Sequence, residues 1–167
     1  MLYFAYGSNL DPDQMRTRCP GHRVVGVGAL HDHRLTFPRW TERWEGGAAS
    51  IQPAHGPVVW GVLYELDDED LAALDRAEGF HAPGDPHNAY ERETMSVELV
   101  RPADGSIPRR VRAQVYVARP ANPAPPSRRY LDTIVRGARH HRLPAEWIEA
   151  LEKTPVGDGS KPSAAGS

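Results

Sequence analysis

The sequence contains a single cysteine, Cys19, so no disulfide can form within the chain. No apolar run approaches the roughly 20 residues that a helix needs to span a bilayer. The formal net charge is only −2, so the overall charge favours neither nucleic acid nor an anionic membrane as a partner. No cluster of positive charge precedes the first apolar run, which Gly7 interrupts, so we expect no signal peptide and a cytoplasmic protein.

The length and composition are those of an ordinary globular protein. The chain has 167 residues, of which 40% are hydrophobic and 25% charged, and this is enough for a substantial core. Its 16 prolines and 15 glycines predict many turns and few long helices. We expect one domain over residues 1–154. Residues 155–167 are mostly Gly, Ser, Pro and Ala, which predicts a disordered tail.

Residues 3–10 (YFAYGSNL) predict a strand that runs directly into a tight turn. After the turn, Asp11 suits the N-cap of a short helix over residues 12–18, and Pro12 suits its first position. Gln14 stands three residues after Asp11, the spacing of a capping box. The backbone N–H groups of the turn are therefore expected to be free donors for an anion or a polarised carbonyl group.

The rest of the chain alternates predicted strands with short helices. Alternation and β-branched residues predict strands over residues 24–37, 48–52, 57–66, 90–100 and 111–117, with a loop over residues 39–47. Helices are predicted from an Asp67 N-cap to about Ala77, from a Ser127 N-cap, and from Pro144. This order predicts an α+β fold, a small mixed β-barrel with short helices.

Glu78 is the strongest candidate for a catalytic group. It follows Leu71 and Leu74 at i+7 and i+4, so its carboxylate lies on the apolar face of the predicted helix. Burial and the negative end of the helix dipole should both raise its pKa and make it a better base. Asp75 lies off this face and is expected in solvent. The alternative for Glu78 is a boundary carboxylate that turns out to water.

Other candidate sites are less well supported by the sequence. Ser8 lacks the Gly-x-Ser-x-Gly elbow of a serine hydrolase. Cys19 with His22, and the histidine pairs at 31/33 and 140/141, lack the spacing of a metal site, so we expect no metal. The arginine-rich C-terminal half lacks the aromatic residues that accompany RNA binding, so it is interpreted as a solvated face.

Two segments, residues 4–10 (FAYGSNL) and 74–79 (LDRAEG), carry a resemblance to a known family. They resemble the γ-glutamylcyclotransferase family, of the type that acts on γ-glutamyl amino acids. Residues 46–51 (GGAASI), 60–64 (WGVLY) and 125–130 (PPSRRY) agree with it, as does the stretch from 137–138 to 143–144, so the similarity covers most of residues 1–152 in order.

The resemblance implies a cofactor-independent enzyme with a pocket at one end of a small barrel. The α-amine of a γ-glutamyl substrate would attack its own γ-carbonyl, giving 5-oxoproline and a free amino acid or amine. Glu78 matches the family's general base, and Tyr130 matches a substrate-binding tyrosine. The expected substrate-binding residues are Tyr3, Phe4, Ala5, Tyr6, Gly7, Ser8, Asn9, Tyr90 and Tyr130.

The expected partner is a small γ-glutamyl molecule, without nucleic acid or membrane, and the expected state is a monomer or homodimer. Three alternatives stay open at this point. The fold could act on a specialised γ-glutamyl amine or biosynthetic intermediate, it could be a non-catalytic module that binds a small acidic ligand, or Ser8 could serve a hydrolase.

Overall fold

The structure is a computed structural model that describes residues 1–163. Within these residues, five strands close into a barrel in the order β1-β3-β2-β4-β5, and β5 returns parallel to β1 at the pair Tyr3–Gln114. The strands are β1 Leu2–Ala5, β2 Arg23–Thr41, β3 Gly46–Glu65, β4 Tyr90–Pro102 and β5 Arg109–Ala118. The helices are α1 Pro12–Arg18, α2 Asp68–Glu78, α3 Arg128–His140 and α4 Ala145–Glu152. The predicted α+β barrel is confirmed.

Strands β2 and β3 form one long hairpin, so the loop predicted over residues 39–47 is wrong. Arg39 pairs with Ala48 and Thr41 with Gly46, which leaves only residues 42–45 as a turn. Gly46 and Gly47, which fall within the predicted loop, let the strand pass close beneath residues 124–127. A Cβ on Gly47 would lie 1.9 Å from the carbonyl oxygen of Ala124, so only glycine fits there.

The two strands predicted over residues 48–52 and 57–66 are likewise a single strand, β3. The register passes from the pair His33–Pro53 to the pair His31–Val58, so an irregularity in the ladder absorbs the intervening residues. Asp32 lies opposite them and accepts a hydrogen bond from the N–H of Gly56 at 3.0 Å. The Pro- and Gly-containing segment therefore bends the strand without ending it.

Helix α1 begins as predicted, but the prediction that Gln14 completes a capping box is wrong. Asp11 Oδ2 accepts a hydrogen bond from the N–H of Gln14 at 3.2 Å, and Pro12 is the first helical residue. The side chain of Gln14 does not return to the N–H of Asp11, which instead bonds to the carbonyl of Ser8. Gln14 Nε2 donates to Ser8 Oγ at 2.6 Å and to Asn9 Oδ1 at 2.9 Å. The helix is thereby tied to the turn before it.

Helix α2 starts with Asp67 as N-cap, whose side chain accepts from the N–H of Asp70 at 2.8 Å. It ends at Glu78, one residue later than predicted, because Gly79 adopts a left-handed conformation with φ of 65°. Leu71 and Leu74 are buried as their spacing predicts. This helix end delivers Glu78 to the turn that follows β1.

Helix α3 packs its predicted apolar stripe into the core and supports the same turn from behind. Leu131, Ile134 and Ala138 are fully buried. A Cβ on Gly137 would lie 2.3 Å from the carbonyl carbon of Leu10, so glycine permits the close approach of the helix to the turn. The turn is therefore held between α3 and α2.

The segment after α4 runs back along the barrel. The N–H of Gly157 donates to the carbonyl of Pro126 at 3.0 Å, and Lys161 Nζ lies 5.6 Å from the ring centre of Trp40. The disordered tail predicted over residues 155–167 falls partly on residues 164–167, which are outside the described residues, and it stays a prediction, as does the single domain. None of the helices described is both long and apolar enough to cross a membrane.

Candidate active site

A cavity of about 290 Å³ opens between the turn after β1, the end of α2 and the distal part of the β2–β3 hairpin. It collects most of the residues predicted from the sequence. Those that line it are Tyr3, Tyr6, Gly7, Ser8, Asn9, Glu78, Tyr90 and Tyr130. Residues that are far apart in the chain therefore share one site.

Phe4 and Ala5 are the two predicted substrate-binding residues that the structure does not bring to the cavity. Both are fully buried. The Phe4 ring lies close to Gly28 and Gly61, within 3.2 and 2.7 Å of where their Cβ atoms would be. Successive residues of a strand point to opposite sides, so Phe4 cannot share the cavity with Tyr3. Phe4 and Ala5 belong to the core, and their binding role stays a prediction.

The turn after β1 exposes main-chain donors to the cavity. A short 3-10 turn covers Ser8–Leu10, in which the N–H of Leu10 bonds to the carbonyl of Gly7 at 3.0 Å. Among the described residues, the N–H groups of Gly7, Ser8 and Asn9 find no hydrogen-bond acceptor. Tyr64 Oη donates to the carbonyl of Asn9 at 2.9 Å and fixes the turn from the other side. The turn is thus a preformed donor set.

Glu78 turns towards these donors and not out to water. Its carboxylate Oε1 accepts a hydrogen bond from Asn9 Nδ2 at 3.2 Å and lies 3.6 Å from Arg18 Nη1. The side chain is only 16% exposed. Burial raises the pKa of Glu78 above its ordinary value, while Arg18 and Asn9 partly offset that rise. The inward carboxylate of Glu78 therefore has a higher proton affinity than an ordinary glutamate.

The amide of Asn9 is held in one orientation by its neighbours. Its Oδ1 accepts from Gln14 Nε2 and from Arg18 Nη1, both at 2.9 Å. Because both donors occupy the oxygen, the Nδ2 group must face Tyr3 Oη at 2.9 Å and Glu78. Asn9 therefore links the turn, α1 and the carboxylate.

Two tyrosines of the cavity hold strand β3 at Ala49. Tyr130 Oη accepts from the N–H of Ala49 at 2.8 Å, and Tyr90 Oη donates to its carbonyl at 3.0 Å. Burial raises the pKa of both tyrosines, so both hydroxyls keep their protons. Because Tyr130 accepts from the N–H of Ala49, its own proton is free for a ligand.

Ser8 has no base beside it. Its hydroxyl accepts a hydrogen bond from the side-chain amide of Gln14. Among the described residues, no histidine or carboxylate contacts this hydroxyl. The arrangement differs from that of a serine hydrolase, in which the hydroxyl gives its proton to a neighbouring base.

Asp75, predicted to lie in solvent, is part of a network behind the cavity, so that prediction is wrong. Its side chain is 19% exposed, and it accepts hydrogen bonds from Tyr116 Oη and Arg92 Nη1, each at 2.6 Å. Helical periodicity describes one helix face, whereas these partners come from β4 and β5. The network fixes Tyr116, which lines the cavity.

The cationic part of the cavity was not predicted from the sequence. Arg18, Arg39, Arg43 and Arg76 line it, and Glu78 is the one acidic residue among the described lining residues. Arg39 and Thr41 alternate on β2 in the manner of a strand, but residues 39–47 were predicted as a loop. The spacing of Arg18, at the end of the predicted α1, gave no signal of its contact with Glu78.

Trp44 was also missed, and it fixes the turn of the hairpin beside the cavity. Its ring centre lies 4.9 Å from that of Tyr130, and the guanidinium carbon of Arg129 lies 4.7 Å from the Trp44 ring centre. Arg129 Nη2 also donates to the carbonyl of Arg43 at 2.6 Å. The turn is thus packed against the start of α3.

The chain is similar in sequence to known cyclotransferases over most of its length. A family model described as gamma-glutamyl cyclotransferase, AIG2-like, matches residues 3–137. A gamma-glutamylcyclotransferase of Mus musculus is 32% identical, over 90% of this chain and 77% of the relative. A gamma-glutamylcyclotransferase of Homo sapiens is 30% identical, over 94% of this chain and 80% of the relative.

Solved structures agree with the sequence comparison. A gamma-glutamyl cyclotransferase superposes with a TM-score of 0.82 and 29% identity, over 100% of this chain and 92% of that one. An uncharacterised protein of Homo sapiens gives a TM-score of 0.79 and 28% identity, over 98% and 93% of the two chains. The extent of the family match and these similarities together lead to one conclusion: the chain belongs to the gamma-glutamyl cyclotransferase, AIG2-like family.

Proposed function

We propose that this protein converts a γ-glutamyl amino acid or amine into 5-oxoproline and the free amino acid or amine. Cyclotransferase activity follows from its membership of the family, and the substrate and the roles of individual residues are the proposal. The observation that carries it is the hydrogen bond between Asn9 and the inward carboxylate of Glu78, beside a turn with free N–H groups.

Glu78 acts as the general base of the reaction. The substrate's α-ammonium group must lose a proton before its nitrogen can attack, and a carboxylate with a raised pKa accepts that proton more readily. The nitrogen then forms a bond to the γ-carbonyl carbon and closes a five-membered ring. The ring nitrogen gives up a second proton as the bond from that carbon to the leaving nitrogen breaks. Glu78 passes both protons, one after the other, to the leaving nitrogen, which departs as an ammonium group. No water enters the balance.

The turn over residues 7–9 stabilises the charge that develops on the γ-carbonyl oxygen. Free backbone N–H groups are fixed donors, and such donors lower the energy of an oxyanion without reorganising. The proton of Tyr130 Oη is a further donor for the γ-glutamyl head group, since this hydroxyl accepts from Ala49. Because nucleophile and electrophile belong to one substrate, proximity supplies much of the rate.

We propose that the protein acts in the cytoplasm as a monomer or homodimer, without nucleic acid or membrane as partner. The fully buried Cys19, the single cysteine of the chain, is compatible with this location.

A substrate panel tests the proposed activity. The purified protein is incubated with a γ-glutamyl amino acid, a γ-glutamyl amine and glutathione, and 5-oxoproline is measured by mass spectrometry. We expect 5-oxoproline from at least one γ-glutamyl compound, with the released amine in equal amount. Binding of 5-oxoproline without turnover of any of these compounds would contradict the proposal and indicate a binding module.

A further inference from the structure

Tyr64 lies outside the cavity but is bonded directly to the turn that supplies the main-chain donors. It belongs to β3 and is only 1% exposed. Its Oη donates to the carbonyl of Asn9 at 2.9 Å, and His141 Nε2 lies 3.3 Å from the same hydroxyl oxygen. Neither Tyr64 nor His141 lines the cavity. Any influence of this pair on a bound substrate must therefore pass through the turn.

The direction of these hydrogen bonds follows from what each group can donate. The carbonyl of Asn9 can only accept, so the single hydroxyl proton of Tyr64 is directed to it. Burial raises the pKa of Tyr64, so the hydroxyl keeps this proton. We assign to His141 the tautomer with its proton on Nε2, because that proton can be donated to Tyr64 Oη. Tyr64 is thus a fixed donor to the turn.

A chain of hydrogen-bonded peptide groups leads from this bond to the cavity. The carbonyl of Asn9 and the N–H of Leu10 belong to one peptide group, and this N–H donates to the carbonyl of Gly7 at 3.0 Å. The carbonyl of Gly7 in turn shares its peptide group with the N–H of Ser8. Ser8 lines the cavity, and its N–H has no acceptor among the described residues. The chain therefore begins at Tyr64 and ends on a free donor.

Hydrogen bonds in such a chain strengthen one another. A donor at a carbonyl oxygen draws electron density from the whole peptide group and makes its N–H a better donor, an effect of about 10–30% per bond. The N–H of Asn9 does not belong to this chain. Its peptide group contains the carbonyl of Ser8, which accepts from the N–H of Asp11 at 3.0 Å. Tyr64 consequently acts on the N–H of Ser8 in particular.

We propose that Tyr64 is a positioning residue of the reaction, which orients and polarises the N–H of Ser8 towards the γ-carbonyl oxygen through its hydrogen bond to Asn9. This inference rests on the proposed cyclotransferase function and gives a role in it to a residue outside the cavity. The negative charge on that oxygen develops only in the transition state, so the contribution of Tyr64 falls on kcat and not on KM.

The kinetic test is Tyr64→Phe, which keeps the ring and removes the hydroxyl. We expect kcat for 5-oxoproline release from a γ-glutamyl amino acid to fall about three- to tenfold, the size of one hydrogen bond, with KM within about twofold of wild type. Thr133→Val is the matched control. Thr133 is also buried, and its Oγ1 donates to the carbonyl of Arg129 at 2.9 Å within α3. This variant loses a comparable bond and should keep the wild-type kcat.

Nuclear magnetic resonance of the ligand-free protein tests the chain without any substrate. In Tyr64→Phe the amide proton resonances of Leu10 and Ser8 should move upfield, because both N–H groups become weaker donors. The amide of Gly7 belongs to the preceding peptide group, outside the chain, and its resonance should stay in place. Thr133→Val should move none of the three.

Each outcome has a distinct meaning. An unchanged kcat in Tyr64→Phe would overturn the inference. So would a Gly7 resonance that moves as far as that of Ser8, or a KM that rises by the same factor as kcat falls, because the turn would then have rearranged as a whole. Absence of 5-oxoproline from the wild-type enzyme would overturn the proposed function and the catalytic role of Tyr64 with it, whatever the resonances show.

Discussion

The side-chain amide of Asn9 donates a 3.2 Å hydrogen bond to the carboxylate of Glu78, which lies 69 residues further along the chain. One partner belongs to the turn after the first strand and the other is the last residue of α2. Arg18 contacts both, at 2.9 Å from Asn9 Oδ1 and 3.6 Å from Glu78 Oε1. The three side chains therefore act as one unit, and changes to each have distinct consequences.

Replacing Arg18 with methionine should move the pH dependence of the reaction. The cation favours the ionised form of Glu78 and offsets part of the rise in pKa that burial causes. Without Arg18 the pKa of Glu78 rises further. Because the base must be ionised to act, activity is then lost earlier as the pH is lowered, that is, at a higher pH than in the wild type. We expect the acidic limb of the profile of kcat/KM against pH to shift upward.

Arg16→Gln is the control for this variant, because Arg16 lies on the same helix, is exposed and pairs with Asp13. Its profile should match that of the wild type. An Arg18→Met enzyme whose activity drops equally at all pH values would indicate a structural role only.

Replacing Ser8 with alanine should leave most of the activity. The proposed contribution of this residue is its backbone N–H, and alanine keeps that group. The hydroxyl accepts one hydrogen bond from Gln14, so we expect less than about a tenfold loss in kcat from its removal. A nucleophilic serine would lose at least about a thousandfold, and steady-state release of 5-oxoproline distinguishes the two cases.

Replacing Gly137 with alanine should destabilise the support of the turn. The new Cβ would lie 2.3 Å from the carbonyl carbon of Leu10, against main chain that cannot move freely. Overpacking of this kind costs about 1–3 kcal/mol of unfolding free energy. In Gly157→Ala, the control, the Cβ would meet its neighbours at an ordinary 3.5 Å. Urea unfolding should show a lower midpoint for the first variant than for the second.

Replacing Glu78 with glutamine should also change how stability depends on pH. Burial raises the pKa in the folded chain, so the folded state binds this proton more tightly than the unfolded state does. The resulting stabilisation is present at low pH and is lost as pH rises through the folded-state pKa. Glutamine carries no charge, so the variant should have the higher unfolding free energy at pH 7 and little advantage near pH 4.

Urea unfolding at the two pH values measures this difference. A variant that is much less stable than the wild type at pH 7 would contradict the idea that the carboxylate is held there at a cost to folding.

Local chemistry explains which features could be predicted from the sequence. The strand, turn and α1 follow from residues 3–14, and the inward direction of Glu78 follows from its spacing to Leu71 and Leu74. These signals are contained in short segments of chain. The family resemblance added the reaction and was confirmed by the comparisons.

The features that were missed depend on tertiary contacts. Gly46 and Gly47 fall at the end of the predicted loop, but they belong to a strand and are needed because residues 124–127 pass over it. This error concealed the alternation of Arg39 and Thr41. Asp75 is buried by partners on other strands, and no pattern within its own helix contains that information.

Glu78, as the general base, is the residue on which the proposed reaction depends most directly. The decisive measurement is kcat for 5-oxoproline release by Glu78→Gln, with Glu93→Gln, an exposed residue of β4, as control. Circular dichroism and urea unfolding verify that both variants are folded. We expect a loss of at least about a hundredfold for Glu78→Gln and none for the control. A folded Glu78→Gln enzyme with near wild-type turnover would contradict the account.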